Sequence, residues 1–312
     1  MRQPHGPGIT CEQHAGARLG ATGGIRYSDP FLNFHSRDAA VDGDGQQPMQ
    51  ALPFALLAIA FYLGAASWQA LTLLRRVPQR PKLVRGLGTL ALAFHGLVIA
   101  VVIRETGGLW LGLSPSLVMV SALVTALLML VSLAKPVLNA AVGVFPVAAM
   151  TLVTAVAWPG GEHQGHITPG IALHVISSAL AFALLAIAAV QSMLLAWQNQ
   201  ALRHHHISGV VQTLPPLTTM ERVLFELIWA GMILLTLAIA SGFLFVDNLF
   251  AQHLVHKTVL SLAAWVIFAA LLIGHHWLGW RGLKAVRWTL GGGVLLLLAY
   301  FGTKFAVEVI FS

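Results

Sequence analysis

Eight long apolar segments dominate this sequence and restrict it to one class of fold. A helix needs about 20 predominantly apolar residues to cross a hydrocarbon core of roughly 30 Å. Lipid offers the backbone no hydrogen-bond partners, and the segments lack the alternation typical of barrel strands, so we expect helices. The sequence therefore predicts an all-α, polytopic membrane bundle of about eight transmembrane helices. The predicted segments are residues 51–73, 86–103, 114–134, 136–158, 168–196, 223–246, 257–278 and 288–310.

Composition excludes a soluble globular domain. Only 9% of the residues are charged and 57% are apolar, whereas soluble domains carry about 25% charged residues. The net charge of +7 does not indicate nucleic acid, because the basic residues lie between apolar segments; the expected partner is the lipid bilayer. The single cysteine, Cys11, excludes an internal disulfide framework and a zinc site of several thiolates.

Residues 1–48 differ in composition from the rest of the chain. They contain eight glycines, four arginines and five acidic residues, and no long apolar run. We interpret them as a disordered extension, with translation starting at Met49; a genuine disordered tail is the alternative. Mass spectrometry of the native N-terminus distinguishes the two, since a peptide from residues 1–48 would contradict a start at Met49. Residues 49–312 form the predicted transmembrane domain.

Basic residues predict the orientation of the bundle, because cytoplasmic loops carry the excess of Lys and Arg. Eleven follow the odd-numbered segments, against Arg104 and Lys257 on the other side. Both ends of the bundle are therefore predicted to lie outside. The eleven are Arg75, Arg76, Arg80, Lys82, Arg85, Lys135, Arg203, Arg222, Arg281, Lys284 and Arg287.

Histidines within the apolar segments are the main functional candidates, because a buried imidazole is costly unless it is hydrogen-bonded or ligated. His174 lies near the outer end of segment five, and His253 and His256 lie at the outer mouth of segment seven. His95 is near the middle of segment two, and His275 is near the inner end of segment seven.

Each of these histidines also has a structural interpretation. His95 fits a neutral imidazole bonded to a neighbouring helix as well as it fits a ligand or a proton relay. His174 shares a helix face with Ser177 and Ser178. His275 and its neighbour His276 lie near the interface, where a half-solvated histidine needs no special role.

Two histidines on different helices at similar depth can hold a haem iron axially, with cations near the propionates. His174 with His253 or His256 satisfies this requirement, and Lys257 is adjacent. The geometry therefore allows an outward-facing porphyrin site, but the spacing alone does not establish one, and a metal site stays open. No serine triad, HExxH motif or catalytic carboxylate pair occurs, so the sequence assigns no enzymatic activity.

A rival hypothesis is an accessory membrane protein for divalent-cation transport or tolerance that binds no haem. Lys304, Glu308, His95 and Glu226 would then line or regulate a polar path. A third hypothesis is a scaffold protein in which all the histidines are structural.

The second half of the sequence contains four motifs in a specific order: LHV at residues 173–175, PPL-x-x-x-E-R from Pro215 to Arg222, HKTVLS from His256, and GWRG at 279–282. Together they resemble the cytochrome c assembly membrane family, which contains the CcsA and ResC haem-handling synthase subunits. The PPL-x-x-x-E-R motif and the start at MQALPFALLAIAFY resemble its YpjD/HemX-like branch. The resemblance covers residues 49–312 and is strongest after residue 166.

This resemblance implies a bacterial inner-membrane protein that binds or handles haem in cytochrome c biogenesis or a related haem process. His174 matches the family's first outward haem-ligating histidine. Lys257 and Trp265 match the lysine and tryptophan that close the haem-presenting segment, and His275 lies close to a later intramembrane histidine. Other cytochrome c biogenesis proteins are the implied partners, and membrane transport proteins are the partners under the rival hypothesis.

Two departures argue against a full synthase. The tryptophan-rich WxWD segment is missing, since the chain reads FVDNLFAQHLVHK between segments six and seven. The second outward histidine expected after YFG is also absent, because Phe311 stands at about that position. A bis-histidine site at His174 would need His253, His256 or His166 as its partner.

Overall fold

The fold was analysed in a computed structural model that describes residues 47–106, 112–157, 169–203, 213–245 and 252–302. Within these ranges the chain is helical, and eight helices are long and apolar enough to cross a membrane, which confirms the predicted fold class. They are α1 Gln47–Leu73, α2 Pro81–Thr106, α3 Leu113–Ala134, α4 Ala141–Ala157, α5 Pro169–Arg203, α6 Leu217–Phe245, α7 Gln252–Leu278 and α8 Leu283–Leu297, which continues as a π-helical turn, Leu298–Gly302.

Several helices extend beyond the apolar segments predicted from the sequence. α2 begins at Pro81 and not at residue 86, α5 continues to Arg203, and α6 begins at Leu217. Proline is favoured in the first helical turn, where its missing N–H would have no partner in any case. The apolar run marks only the part of each helix that lipid surrounds, whereas the helices continue into the polar interface.

Small residues allow the helices to pack closely. α5 packs most extensively against α6, α1 packs against α2 and α4, and α8 lies against α5 and α7. At Gly231 of α6, a Cβ atom would lie 2.6 Å from Cγ of Leu185 in α5. Backbones can approach this closely only where a side chain is missing, and such contacts drive helix association in lipid.

Two of the three consecutive glycines of α8, Gly291 to Gly293, pack against neighbouring helices. A Cβ atom at Gly292 would lie 2.7 Å from the Phe268 ring of α7, and one at Gly293 would lie 3.5 Å from Ala189 of α5. Gly291 faces open space. The triplet therefore brings α8 against both neighbours.

Polar contacts join the loops at the end of the bundle that carries the eleven basic residues. The Gln79 amide donates to the Thr213 carbonyl at 3.2 Å, linking the α1–α2 and α5–α6 connections. Lys135, after α3, forms an ion pair with Glu226 of α6 at 2.7 Å, and Arg222 pairs with the same carboxylate at 3.0 Å. Glu226 thus lies within an ion-pair cluster at this basic end. That the basic end faces the cytoplasm stays a prediction.

Candidate functional site

His174 lies in the second turn of α5 and is held by the backbone of α6. Its Nδ1 atom is 2.7 Å from the carbonyl oxygen of Ala238. The ring also fills the space beside Gly242, where a Cβ atom would lie 3.0 Å from Cε1 and 3.1 Å from Nδ1. The imidazole is only partly buried. Two contacts from the neighbouring helix therefore fix both its position and its orientation.

This contact also assigns the tautomer of His174. A carbonyl oxygen can only accept a hydrogen bond, so Nδ1 carries a proton, and in the neutral imidazole Nε2 keeps its lone pair. Metal-ligating histidines typically donate their second ring N–H to a carbonyl or carboxylate in this way. The Ala238 carbonyl also accepts a hydrogen bond from the Ser241 hydroxyl of the same helix at 3.0 Å. His174 is therefore prepared to act as a ligand through Nε2.

The serines that share the His174 face bond to their own helix. The Ser177 hydroxyl donates to the Leu173 carbonyl at 2.7 Å, and the Ser178 hydroxyl donates to the Val175 carbonyl at 2.9 Å. Neither of these bonds reaches the imidazole. The orienting partners of His174 come from α6.

The other candidates at the end opposite the basic loops lie at the start of α7. His256 is exposed and Lys257 is partly buried. The side chain of His253 lies outside the described part of the chain, as do His166, Lys304 and Glu308. No described contact joins His256 to His174, so the second axial ligand stays a prediction.

Trp265 connects α7 to α6 by a hydrogen bond. Its indole N–H donates to the Thr236 hydroxyl at 3.0 Å. Thr236 and Ala238 are two residues apart, and positions at this spacing face nearly opposite sides of a helix. Trp265 and His174 therefore contact different sides of α6.

His275 lies at the basic end of α7, far from the outward candidates. Nineteen residues separate it from His256, which corresponds to about 28 Å along a helix. Its Nδ1 atom is 2.9 Å from the Trp280 carbonyl, and its ring stacks on Phe225 with centroids 3.5 Å apart. His276, in contrast, is exposed. By the same tautomer argument, Nε2 of His275 has a lone pair in the neutral ring.

His95 is fully buried between α1 and α3. Its Nδ1 atom is 3.2 Å from the Tyr62 hydroxyl of α1, and the two rings meet edge to face. Among the described residues, Nε2 has no hydrogen-bond partner of standard geometry, while the Val118 backbone of α3 interacts with the ring. These contacts fit the structural interpretation of His95; its candidacy as a ligand or proton relay stays a prediction.

The structure thus divides the predicted site residues among three places. His174, His256 and Lys257 lie at the end opposite the basic loops, His95 lies in the core, and His275 lies at the basic end. Within the described ranges, no group of three His, Cys, Asp or Glu residues could hold a metal ion.

The sequence did not reveal the groups that position these rings. The Ala238 carbonyl leaves no trace in a sequence, since every residue carries one. Gly242 follows Ser241 in a stretch of small residues typical of close helix packing. This stretch is the one sequence feature that indicates a contact at this position. Tyr62 and Thr236 stand among apolar residues, and nothing in the sequence pairs them with His95 and Trp265.

Comparison with known proteins places the chain in a family. Residues 83–311 match the family described as cytochrome C assembly protein. The chain is 36% identical over 169 residues to "Inner membrane protein YpjD" of Escherichia coli K12, which covers 54% of this chain and 64% of that relative. It is also 36% identical over 146 residues to an uncharacterized 28.8 kDa protein of Azospirillum brasilense, covering 46% and 54% of the two chains.

The matched region spans less than two thirds of either relative. No solved structure matches the chain. The family match covers most of this sequence and agrees with the eight membrane helices found among the described residues. The chain is therefore a member of the cytochrome c assembly protein family and a multi-pass protein of the bacterial inner membrane.

Proposed function

We propose that this protein binds haem through Nε2 of His174, at the end of the bundle opposite the basic loops, and handles haem in cytochrome c biogenesis or a related process. When bound, haem supplies an iron that takes axial nitrogen ligands. The observation that carries the proposal is the Nδ1 hydrogen bond from His174 to the Ala238 carbonyl. Family membership supports it, because cytochrome c assembly requires haem to be held and passed on.

The surroundings of His174 fit a porphyrin in two further respects. The ring is only partly buried, so Nε2 need not be enclosed by protein. Lys257, at the outer start of α7, is a cation that could pair with a propionate. His256 and His253 are the proposed second ligands. Since the WxWD segment is missing, the proposal covers binding and handling of haem and not thioether formation.

The test is the absorbance spectrum of the detergent-purified protein, oxidised and dithionite-reduced, with haem supplied during expression. We expect a Soret band in the parent protein that is lost or shifted in His174→Ala. The matched control is His276→Ala, which removes an exposed histidine from the opposite end of the bundle. His256→Ala and His253→Ala then identify the second ligand by the change in the reduced spectrum.

Two outcomes would contradict the proposal. One is a parent protein without a chromophore at near-stoichiometric haem supply. The other is a spectrum that changes equally in His174→Ala and His276→Ala. Either result would favour one of the two other hypotheses, a scaffold protein or an accessory protein for divalent-cation transport. Ion flux in proteoliposomes would then test the transport hypothesis.

A further inference from the structure

A groove runs along the outside of the bundle between α3, α4, α5 and α8. Its volume is about 430 Å³, within the range of small-molecule sites. The rim opens to the surrounding lipid, because Val147 of α4 and Val294 and Leu297 of α8 are 58%, 57% and 52% exposed. Its floor is formed by α5 residues from Phe182 to Val190. A ligand could therefore enter sideways from the bilayer.

The lining of the groove suits a hydrocarbon chain. Among the described residues that line it, only Ser121 and Thr151 are polar, and their hydroxyl oxygens lie 2.6 Å apart. Each oxygen also lies within hydrogen-bond distance of a carbonyl of its own helix, Val118 at 3.0 Å and Ala148 at 2.8 Å. The hydrogen-bonding capacity of the two hydroxyls is therefore met within the protein. The described lining residues include no histidine, so the groove is distinct from the site at His174.

The length of the groove corresponds to that of one acyl chain. Along α8 it extends from Leu290 to Phe301, which is about 16 Å at the helical rise. Half of a hydrocarbon core of roughly 30 Å is about 15 Å. Leu290 lies seven residues into α8, so the groove begins about 10 Å from the basic end, and an acyl chain that enters there and fills the groove crosses the middle of the bundle.

A cation stands at the end of this groove. Arg287, Leu290, Val294, Leu297 and Phe301 follow one another at spacings of three and four residues, so they share one face of α8. Arg287 is exposed, and among the described residues no carboxylate lies within ion-pair distance of it. Basic residues at this membrane level attract anionic headgroups.

We propose that this groove binds one acyl chain of an anionic phospholipid whose phosphodiester contacts Arg287. Four features match such a lipid: the lateral opening, the apolar lining whose two hydroxyls are already hydrogen-bonded, the length of one acyl chain, and a cation at the end that pairs with no carboxylate of the described residues. This site is independent of the proposed haem function.

Native mass spectrometry of the full chain tests the proposal. The detergent-purified, delipidated protein is incubated with phosphatidylglycerol or phosphatidylethanolamine, and the retained lipid is counted. We expect one phosphatidylglycerol per chain, preferred by roughly fivefold, which is what one cation at a membrane surface contributes. Arg287→Gln should abolish the preference, whereas Arg76→Gln, an exposed cation on the α1–α2 turn, should keep it.

A second pair of variants tests the groove. Val294→Trp should abolish retention of both lipids, because the indole fills the groove from its exposed rim. Val266→Trp places the same side chain on the exposed surface of α7 (53% exposed) and should retain them. Size-exclusion profiles establish that the variants are folded. The proposal is overturned if the parent retains no lipid, if Arg287→Gln keeps the preference, or if both tryptophan variants behave alike.

Discussion

The carboxylate of Glu221, in the first turns of α6, accepts a hydrogen bond from the backbone N–H of Gly282 at 2.7 Å. Gly282 precedes α8 with φ +58° and no side-chain cap, a conformation that favours glycine. Glu221 therefore supplies the negative group that the N-terminus of α8 otherwise lacks. Two motifs 61 residues apart, PPL-x-x-x-E-R and GWRG, meet through this bond.

Replacing Glu221 should destabilise the basic end of the bundle. Glu221→Ala leaves the Gly282 N–H unpaired, and we expect a loss of about 1–3 kcal/mol in the free energy of unfolding. Glu221→Gln keeps an acceptor oxygen and should lose less. Thermal unfolding in detergent, followed by circular dichroism, measures both variants.

Glu226→Ala is the control for this prediction, since it removes a carboxylate from the same helix. Glu226 pairs with Lys135 and Arg222 at the surface, where ion pairs contribute about 0–1 kcal/mol. Equal losses of unfolding free energy for Glu221→Ala and Glu226→Ala would show that the bond from Gly282 to Glu221 stabilises the protein no more than a surface ion pair does.

Gly242→Val should displace the His174 imidazole without removing it. The first added carbon would lie 3.0 Å from Cε1, so the ring must turn away and lose its bond to Ala238. If His174 ligates haem, we expect a weakened or shifted Soret band and reduced thermal stability. Gly64→Val serves as the control, because a Cβ atom there meets nothing within 4 Å. An unchanged spectrum in Gly242→Val, with the parent binding haem, would place the haem elsewhere.

Gly292→Ala should weaken the packing of α8 against α7. The added methyl group would lie 2.7 Å from the Phe268 ring, and overpacking of this kind costs about 1–3 kcal/mol. Gly291→Ala, one residue earlier in open space, should be neutral or stabilising by up to about 1 kcal/mol. Comparing the two unfolding temperatures isolates the steric contribution, and identical temperatures would mean that α7 and α8 adjust without cost.

The bond between Tyr62 and His95 should be measurable in a double-mutant cycle. Tyr62→Phe, His95→Leu and the double variant are compared by thermal unfolding. We expect a coupling free energy of about 0.6 kcal/mol, the average for hydrogen bonds between membrane helices. Strict additivity of the two single substitutions would mean that this contact contributes nothing to stability.

Much of the fold could be predicted because the membrane requirement acts on each segment separately. An apolar run long enough to cross lipid must be helical, whatever its neighbours are. The ends of the helices could not be predicted as closely from the sequence, as α6 shows. This helix begins at Leu217, before the apolar run. Helical structure continues into the polar interface, where the residues are no longer apolar and the sequence pattern therefore does not mark the helix.

The candidate site was only partly predictable. His174 was recognisable as an intramembrane imidazole, and the LHV motif strengthened the assignment. Its hydrogen-bond partner was not recognisable, since the Ala238 carbonyl is chemically the same as any other. Trp265 and Lys257 follow one another along one helix, yet Trp265 is bound to Thr236 on a side of α6 that His174 does not contact.

The sequence by itself determined that this protein is a bundle of eight membrane helices and which side chains in it are chemically exceptional. Only the tertiary structure decided which helix faces meet. It places His174 beside Gly242, Glu221 at the N-terminus of α8, and Arg287 on the face of α8 that lines an apolar groove. The physical reason is that lipid tails are as apolar as the helix surfaces. Burial against a neighbouring helix therefore leaves no polarity pattern in the sequence, and close packing of small residues selects the partners.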